Sequence, residues 1–192
     1  MSCLSPEMEQ RLAGVHGEIL SSEGLLLADL AAEVPNTQII VELGAYKGKA
    51  SCYLAAGARA GHSAVVYSVD LWEKSPSAEY ASPEIPQNWR ENIGHLGLVG
   101  QAIPINADST EAAELIDHKV GLLFVDANHN YDGVCQDIAT WVPRMERKGV
   151  MVFHDANAEL WGVARAIREK LLPTGRYVYE LKVGLCILRR SK

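Results

Sequence analysis

Three short segments of this chain carry apolar residues with almost no alternation: Ile39–Leu43 (IIVEL), Leu122–Val125 (LLFV) and Val150–Phe153 (VMVF). A strand with one wet face reads apolar, polar, apolar. A strand without that rhythm is covered on both sides, as parallel sheets require. Segments of helical period separate these runs, and strands alternating with helices fold as a doubly wound α/β sheet.

The rest of the chain fits that frame. Ser5 to Leu20 reads as an amphipathic helix with Ser5 as cap and Pro6 at its first position, and a second helix runs from Ser22 to Glu33, before Pro35. Strands follow at Ile39–Gly44, Ala64–Val69, Gln101–Asn106, Val120–Val125 and Gly149–Phe153. Helices are expected at Gly48–Arg59, Thr110–Ile116, Tyr131–Met145 and from about Glu159 to Leu172. Tyr177–Val183 and Leu185–Leu188, joined around Gly184, read as a hairpin. Residues 1–192 are therefore expected to form one α/β domain, with 1–35 a helical N-terminal segment. Its sheet is Rossmann-like, of about seven strands, mostly parallel with an antiparallel C-terminal hairpin and helices on both faces.

A net charge of −6 argues against a nucleic-acid partner, which wants a basic face. No apolar run is long enough to span a membrane, and the N-terminus lacks the order of a signal peptide. The four cysteines are scattered, with no metal-like spacing, as in a reducing compartment. These features point to a cytoplasmic protein.

In a doubly wound sheet, ligands sit outside the carboxyl ends of the strands. Here those ends carry Glu42 with Gly44, Asp70, Asp126, and His154 with Asp155. After the first strand comes Gly44-Ala45-Tyr46-Lys47-Gly48, which keeps the outer glycines of a dinucleotide turn and puts Tyr46 in the place of the middle one. That middle glycine lets a backbone approach a pyrophosphate. A ligand with an adenosine end and no pyrophosphate, such as S-adenosylmethionine, fits better than NAD.

The segment Glu42-x-Gly44-x-x-x-Gly48 resembles the first motif of class I S-adenosylmethionine-dependent methyltransferases. The stretch from Phe124 to Asp155 carries an aspartate, His129-x-Tyr131, a helix with Asp137 and a closing His154-Asp155. It is similar to a bacterial small-molecule subgroup, distantly related to macrolide sugar O-methyltransferases and cephalosporin hydroxylase-type proteins. The resemblance implies that Glu42, Gly44, Ala45, Tyr46, Gly48 and Ser51 border the cofactor. It also implies that Asp70, next to Leu71, accepts the ribose hydroxyls, and that Asp108 or Ser109 holds the adenine. Asp108 with Glu111 equally makes a helix-capping pair. On the reaction side the resemblance places Asp126, His129, His154 and Asp155, with Asp126 also bordering the cofactor. There Asp126 and Asp155 match the carboxylates that hold magnesium in metal-dependent relatives. Ala156 stands where many of those relatives have a further oxygen ligand, with Asn157 one residue on. The other reading makes His129 or His154 a general base.

The proline-bearing stretch Glu73–Gln87 breaks the rhythm, and residues 73–97 read as a lid loop and helix or as a passive surface loop. Tyr80, Trp89 and Arg90 lie on it, to touch substrate or, for Trp89, to pin the loop. The function expected is O-methylation of a small hydroxylated acceptor, with a homodimer through the N-terminal helices or the hairpin edge. The alternatives are a non-catalytic S-adenosylmethionine-binding protein and an NAD-type oxidoreductase.

Overall fold

The computed structural model describes residues 2–77, 79–156 and 162–191. Two short helices come first, α1 (Pro6–Ala13) and α2 (Ser21–Ala32). The body follows as β1 (Ile39–Leu43), α3 (Lys49–Ala60), β2 (Val66–Asp70), α4 (Glu84–His95), β3 (Ala102–Asn106), α5 (Ser109–Leu115) and β4 (Val120–Val125). It closes with α6 (Tyr131–Trp141), β5 (Met145–Phe153), α7 (Gly162–Ala166), β6 (Tyr177–Lys182) and β7 (Leu185–Arg190).

The seven strands form one sheet in the order β3-β2-β1-β4-β5-β7-β6. β1 to β5 pair in parallel, and β7 pairs antiparallel with both β5 and β6. The chain runs outward from β1 through β2 to β3, then returns to lay β4 against the other side of β1. That reversal opens a crevice beyond Leu43 and Val125, the position where such sheets bind ligands. Two apolar layers sandwich the sheet. One is built on Leu27, Leu54, Tyr53 and Phe124 beneath α1 to α4, the other on Leu123, Trp141 and Phe153 beneath α5 to α7. β1 and β4 are buried at every residue, as their unbroken apolar sequences require. β3 and β6 are the edge strands, and β6 leaves Val178, Tyr179 and Leu181 exposed.

Four boundaries differ from the sequence expectation. The first helix stops at Ala13 rather than Leu20, because Gly14 caps it and the chain then turns at Gly17 against Lys49. The segment after β2 is less of a loop than its prolines imply. Trp72–Lys74 form a 3-10 turn and α4 already begins at Glu84, leaving 75–83 between them. Pro86 falls in the first turn of α4, where a missing N–H costs no helical bond. The helix after Tyr131 ends at Trp141, a 3-10 turn follows around Pro143, and β5 starts at Met145 rather than Gly149. The expected start of the last helix at Glu159 lies outside the described residues, as does Asn157.

Candidate functional site

The turn from β1 into α3 is held by its neighbour strands. Gly44 and Gly48 take φ of +89° and +88°, open to glycine. A Cβ on Gly44 would stand 2.2 Å from the carbonyl oxygen of Asp126, so the β1 and β4 turns meet backbone to backbone. Tyr46 also has a positive φ, +47°, which is costly for a bulky residue and needs outside support. Asp70 provides it. Its Oδ2 accepts from the N–H of Ala45 at 2.9 Å and of Tyr46 at 2.8 Å, and its Oδ1 from the N–H of Trp72 at 2.7 Å. The indole of Trp72 donates to the Tyr46 carbonyl at 2.9 Å. In this structure, then, the Asp70 carboxylate organises the glycine turn, with Leu71 half-buried beside it.

Glu42 is fully buried between β1 and α3, as is Ser51. The Ser51 hydroxyl donates to Glu42 Oε2 at 2.5 Å and accepts from the Trp89 indole at 2.9 Å. The other Glu42 oxygen, Oε1, has no hydrogen-bond partner among the described residues. Burial pushes the carboxyl up from 4.5 to about 8, the Ser51 hydrogen bond offsetting only part of it. Trp89 lies against Gly48 and edge-on to Trp72, 6.2 Å between centroids, so it pins α4 to the turn. Tyr80 reaches back to Tyr46 in an edge contact at 5.6 Å.

Across the crevice, Asp126, His129, His154 and Asp155 each bring one nitrogen or oxygen into a group spanning no more than 4.8 Å. His154 Nδ1 lies 2.9 Å from Asp155 Oδ2 and 3.2 Å from Asp126 Oδ1. His129 Nε2 lies 3.3 Å from Asp155 Oδ2 and 3.4 Å from Asp126 Oδ1. Glu23, from α2, stands behind, its Oε2 3.5 Å from His154 Nε2. Burial works to lower the His154 pKa, but the hydrogen bond to Asp126 and the charges of Asp126, Asp155 and Glu23 win and lift it to about 10. Burial likewise works to raise Asp126, yet the two imidazoles hold it below the ordinary carboxylate range. Asp155 has φ +53°, so left-handed non-glycine residues mark the ends of β1, β2 and β5 at this mouth (Tyr46, Trp72, Asp155).

Asp108 caps α5. Its Oδ1 accepts from the N–H groups of Thr110 at 2.8 Å and Glu111 at 2.9 Å and from the Thr110 hydroxyl at 2.6 Å. The Thr110 hydrogen bond leads the lowering of its pKa. Ser109 donates to Asp137. Asp137 is buried on α6, with burial raising its carboxyl to about 6.

The structure thus groups the proposed residues in three places: the glycine turn with Asp70 and Glu42, the α5 cap, and the four-residue cluster. Sequence reasoning missed Glu23. It sits under the β6–β7 turn, where a Cβ on Gly184 would stand 2.5 Å from its Oε1, and no local pattern reports that packing.

The sheet order, the glycine turn and the polar strand ends define a Rossmann-like methyltransferase fold. Residues 41–156 match the family model described as "Methyltransferase domain", and the chain belongs to that family. A bacterial relative, the uncharacterized protein y4gI of Sinorhizobium fredii, is 30% identical over 156 residues. That stretch covers 76% of this chain and only 16% of the relative. Among solved structures, the O-methyltransferase NovP superposes with a TM-score of 0.75 at 14% identity, covering 94% of this chain and 84% of its own. The S-adenosylhomocysteine-bound methyltransferase PaMTH1 of Podospora anserina gives 0.72 at 17%, covering 97% and 87%. A putative rRNA methylase from Clostridium thermocellum gives 0.65 at 12%, covering 91% and 100%. The fold is therefore shared across acceptors. No helix among the described residues is long and apolar enough to cross a membrane.

Proposed function

We propose that this chain transfers the methyl group of S-adenosylmethionine to an oxygen of a small hydroxylated molecule. The observation that carries it is the convergence of Asp126, His129, His154 and Asp155 within 4.8 Å at the mouth, across from the glycine turn. NovP is an O-methyltransferase and PaMTH1 is bound to S-adenosylhomocysteine, which supports oxygen as the acceptor atom and S-adenosylmethionine as the donor.

The turn residues suit such a donor. Among the described residues Glu42 Oε1 is a buried acceptor with no partner in hydrogen-bonding geometry, which a protein seldom keeps without use. Tyr46 fills the place a pyrophosphate would need. On this reading Glu42, Gly44, Ala45, Tyr46, Gly48 and Ser51 border the donor's amino-acid end, Asp70 and Leu71 its ribose, and Asp108 and Ser109 its adenine. The donor supplies a methyl group made electrophilic by the sulfonium.

The chain's own part is alignment and proton removal. Holding acceptor oxygen and methyl carbon in line is worth several powers of ten in rate. The cluster takes the hydroxyl proton. His129, whose Nε2 lies 3.4 Å from Asp126 Oδ1 and 3.3 Å from Asp155 Oδ2, is the imidazole this reading assigns to receive that proton. On this reading residues 73–97 serve as the lid loop and helix, with Tyr80 resting on Tyr46.

Titration calorimetry with S-adenosylhomocysteine tests the reading, on the native chain and on Asp70→Ala. Native binding with at least a hundredfold loss in Asp70→Ala is expected. Unchanged binding by the variant would remove Asp70 from the donor site, and no binding by the native chain would end the proposal.

A further inference from the structure

Among the described residues, the cluster's donor set is wrong for magnesium. Magnesium asks for six oxygen ligands near 2.1 Å and keeps several of them as water. Here two of the four donors are imidazole nitrogens, and imidazole suits zinc, cobalt, nickel, copper and iron. We infer that Asp126 Oδ1, His129 Nε2, His154 Nδ1 and Asp155 Oδ2 form a site for a nitrogen-accepting divalent transition metal, with Glu23 as the carboxylate that orients His154.

The geometry is that of ligands around a common centre. Metal–nitrogen and metal–oxygen bonds of about 2.0–2.1 Å in a tetrahedron place neighbouring ligand atoms about 3.3–3.4 Å apart. The four separations between imidazole and carboxylate atoms are 2.9, 3.2, 3.3 and 3.4 Å, and no pair among the four exceeds 4.8 Å. The chain places the donors from two directions. Asp126 and His129 follow β4, while His154 and Asp155 follow the neighbouring β5, so the site is anchored on two paired strands. Asp155 has φ +53°, a left-handed conformation that aspartate adopts more readily than most residues.

The outer contact fits as well. A metal-bound histidine commonly gives its second ring N–H to a carboxylate, which fixes the tautomer and the ring plane. His154 presents Nδ1 to the cluster and Nε2 to Glu23 Oε2 at 3.5 Å. Glu23 is itself buried and anchored, accepting from the Leu20 N–H at 2.7 Å. Ligation needs neutral imidazoles, so metal binding competes with protons and weakens at low pH.

The inference rests on the methyltransferase reading only for what the ion would do there. Whether the ion binds is a separate matter, and the experiment keeps the two apart. The full chain, stripped with a chelator, is titrated with cobalt(II), zinc(II) and magnesium(II) by calorimetry, and cobalt binding is followed by its visible absorption. S-adenosylhomocysteine binding is measured on the same protein. One cobalt or zinc per chain is expected, at least a hundredfold tighter than magnesium, with the absorption bands of low-coordinate cobalt. His129→Ala, on a partly exposed loop, should lose at least a hundredfold in cobalt affinity. Glu23→Gln should lose about tenfold to a hundredfold while His129→Ala and Glu23→Gln both keep the native circular dichroism. Magnesium binding as tightly as cobalt, or cobalt affinity unmoved by His129→Ala, overturns the site. S-adenosylhomocysteine binding without cobalt binding fails this inference and leaves the methyltransferase proposal standing. Cobalt binding without S-adenosylhomocysteine does the reverse.

Discussion

Replacing Glu42 with glutamine should stabilise the free protein. Glu42 is fully enclosed, and burial pushes its carboxyl from 4.5 to about 8, with Ser51 offsetting only part. At pH 7 the folded chain therefore keeps a proton that the unfolded chain has released. A carboxyl raised in this way costs nothing below its unfolded value of 4.5. Above it, the folded state binds more protons than the unfolded, so stability falls as pH climbs and levels off beyond the folded value. The slope is about 1.4 kcal/mol per pH unit, which by pH 7 amounts to a cost of about 3 kcal/mol. Glutamine has nearly the same shape, carries no charge, and still offers an oxygen to the Ser51 hydroxyl. Urea unfolding of the ligand-free native and Glu42→Gln chains across this range gives the measurement. The two should agree near the acid end and diverge as pH rises, the variant leading by about 2–3 kcal/mol at neutral pH. A native stability that does not decline between the two pKa values would refute the reasoning. So would a variant less stable than native at neutral pH, because either result means the protein accommodates the charge.

Gly44→Ala should cost more than about 3 kcal/mol in chemical denaturation, since its Cβ lands 2.2 Å from a backbone oxygen at φ +89°. Gly100→Ala, at φ +81° with open space around it, should cost only about 1–2 kcal/mol, and equal costs would deny the close approach at Gly44. Asp108→Ala should lose about 1 kcal/mol through the α5 cap and about tenfold in S-adenosylhomocysteine affinity. Stability loss with unchanged binding would leave Asp108 as a cap alone.

What could be read from the sequence was local. The apolar runs of β1, β4 and β5 declare themselves because burial on both faces removes any alternation. The polar residues that end them are therefore placed by topology. His129 and His154 come together for that reason, two strand ends apart in space and 25 residues apart in chain. The relay from Trp89 through Ser51 to Glu42 could not be read, since it needs α4 to fold back over α3. Nor could the bonds by which Asp70 holds the turn, because a strand-end aspartate looks the same whichever donors face it. Glu23 was the least visible. Its neighbours in sequence describe a helix, and its partner His154 lies 131 positions away. The length of the loop after β2 was overestimated because prolines read as loop, whereas Pro86 sits where a helix tolerates it.

The contact between Gly44 and Asp126 acts as a gauge block set between two workpieces. Main-chain atoms fix the interval between the glycine turn and the cluster, so side chains on either side can vary without altering it. A lineage built on this scaffold can exchange the side chains of the cluster, or reshape the mouth around Tyr80 and His129, and inherit the spacing unchanged. The one position closed to such variation is the glycine itself, which has no side chain and no room for one.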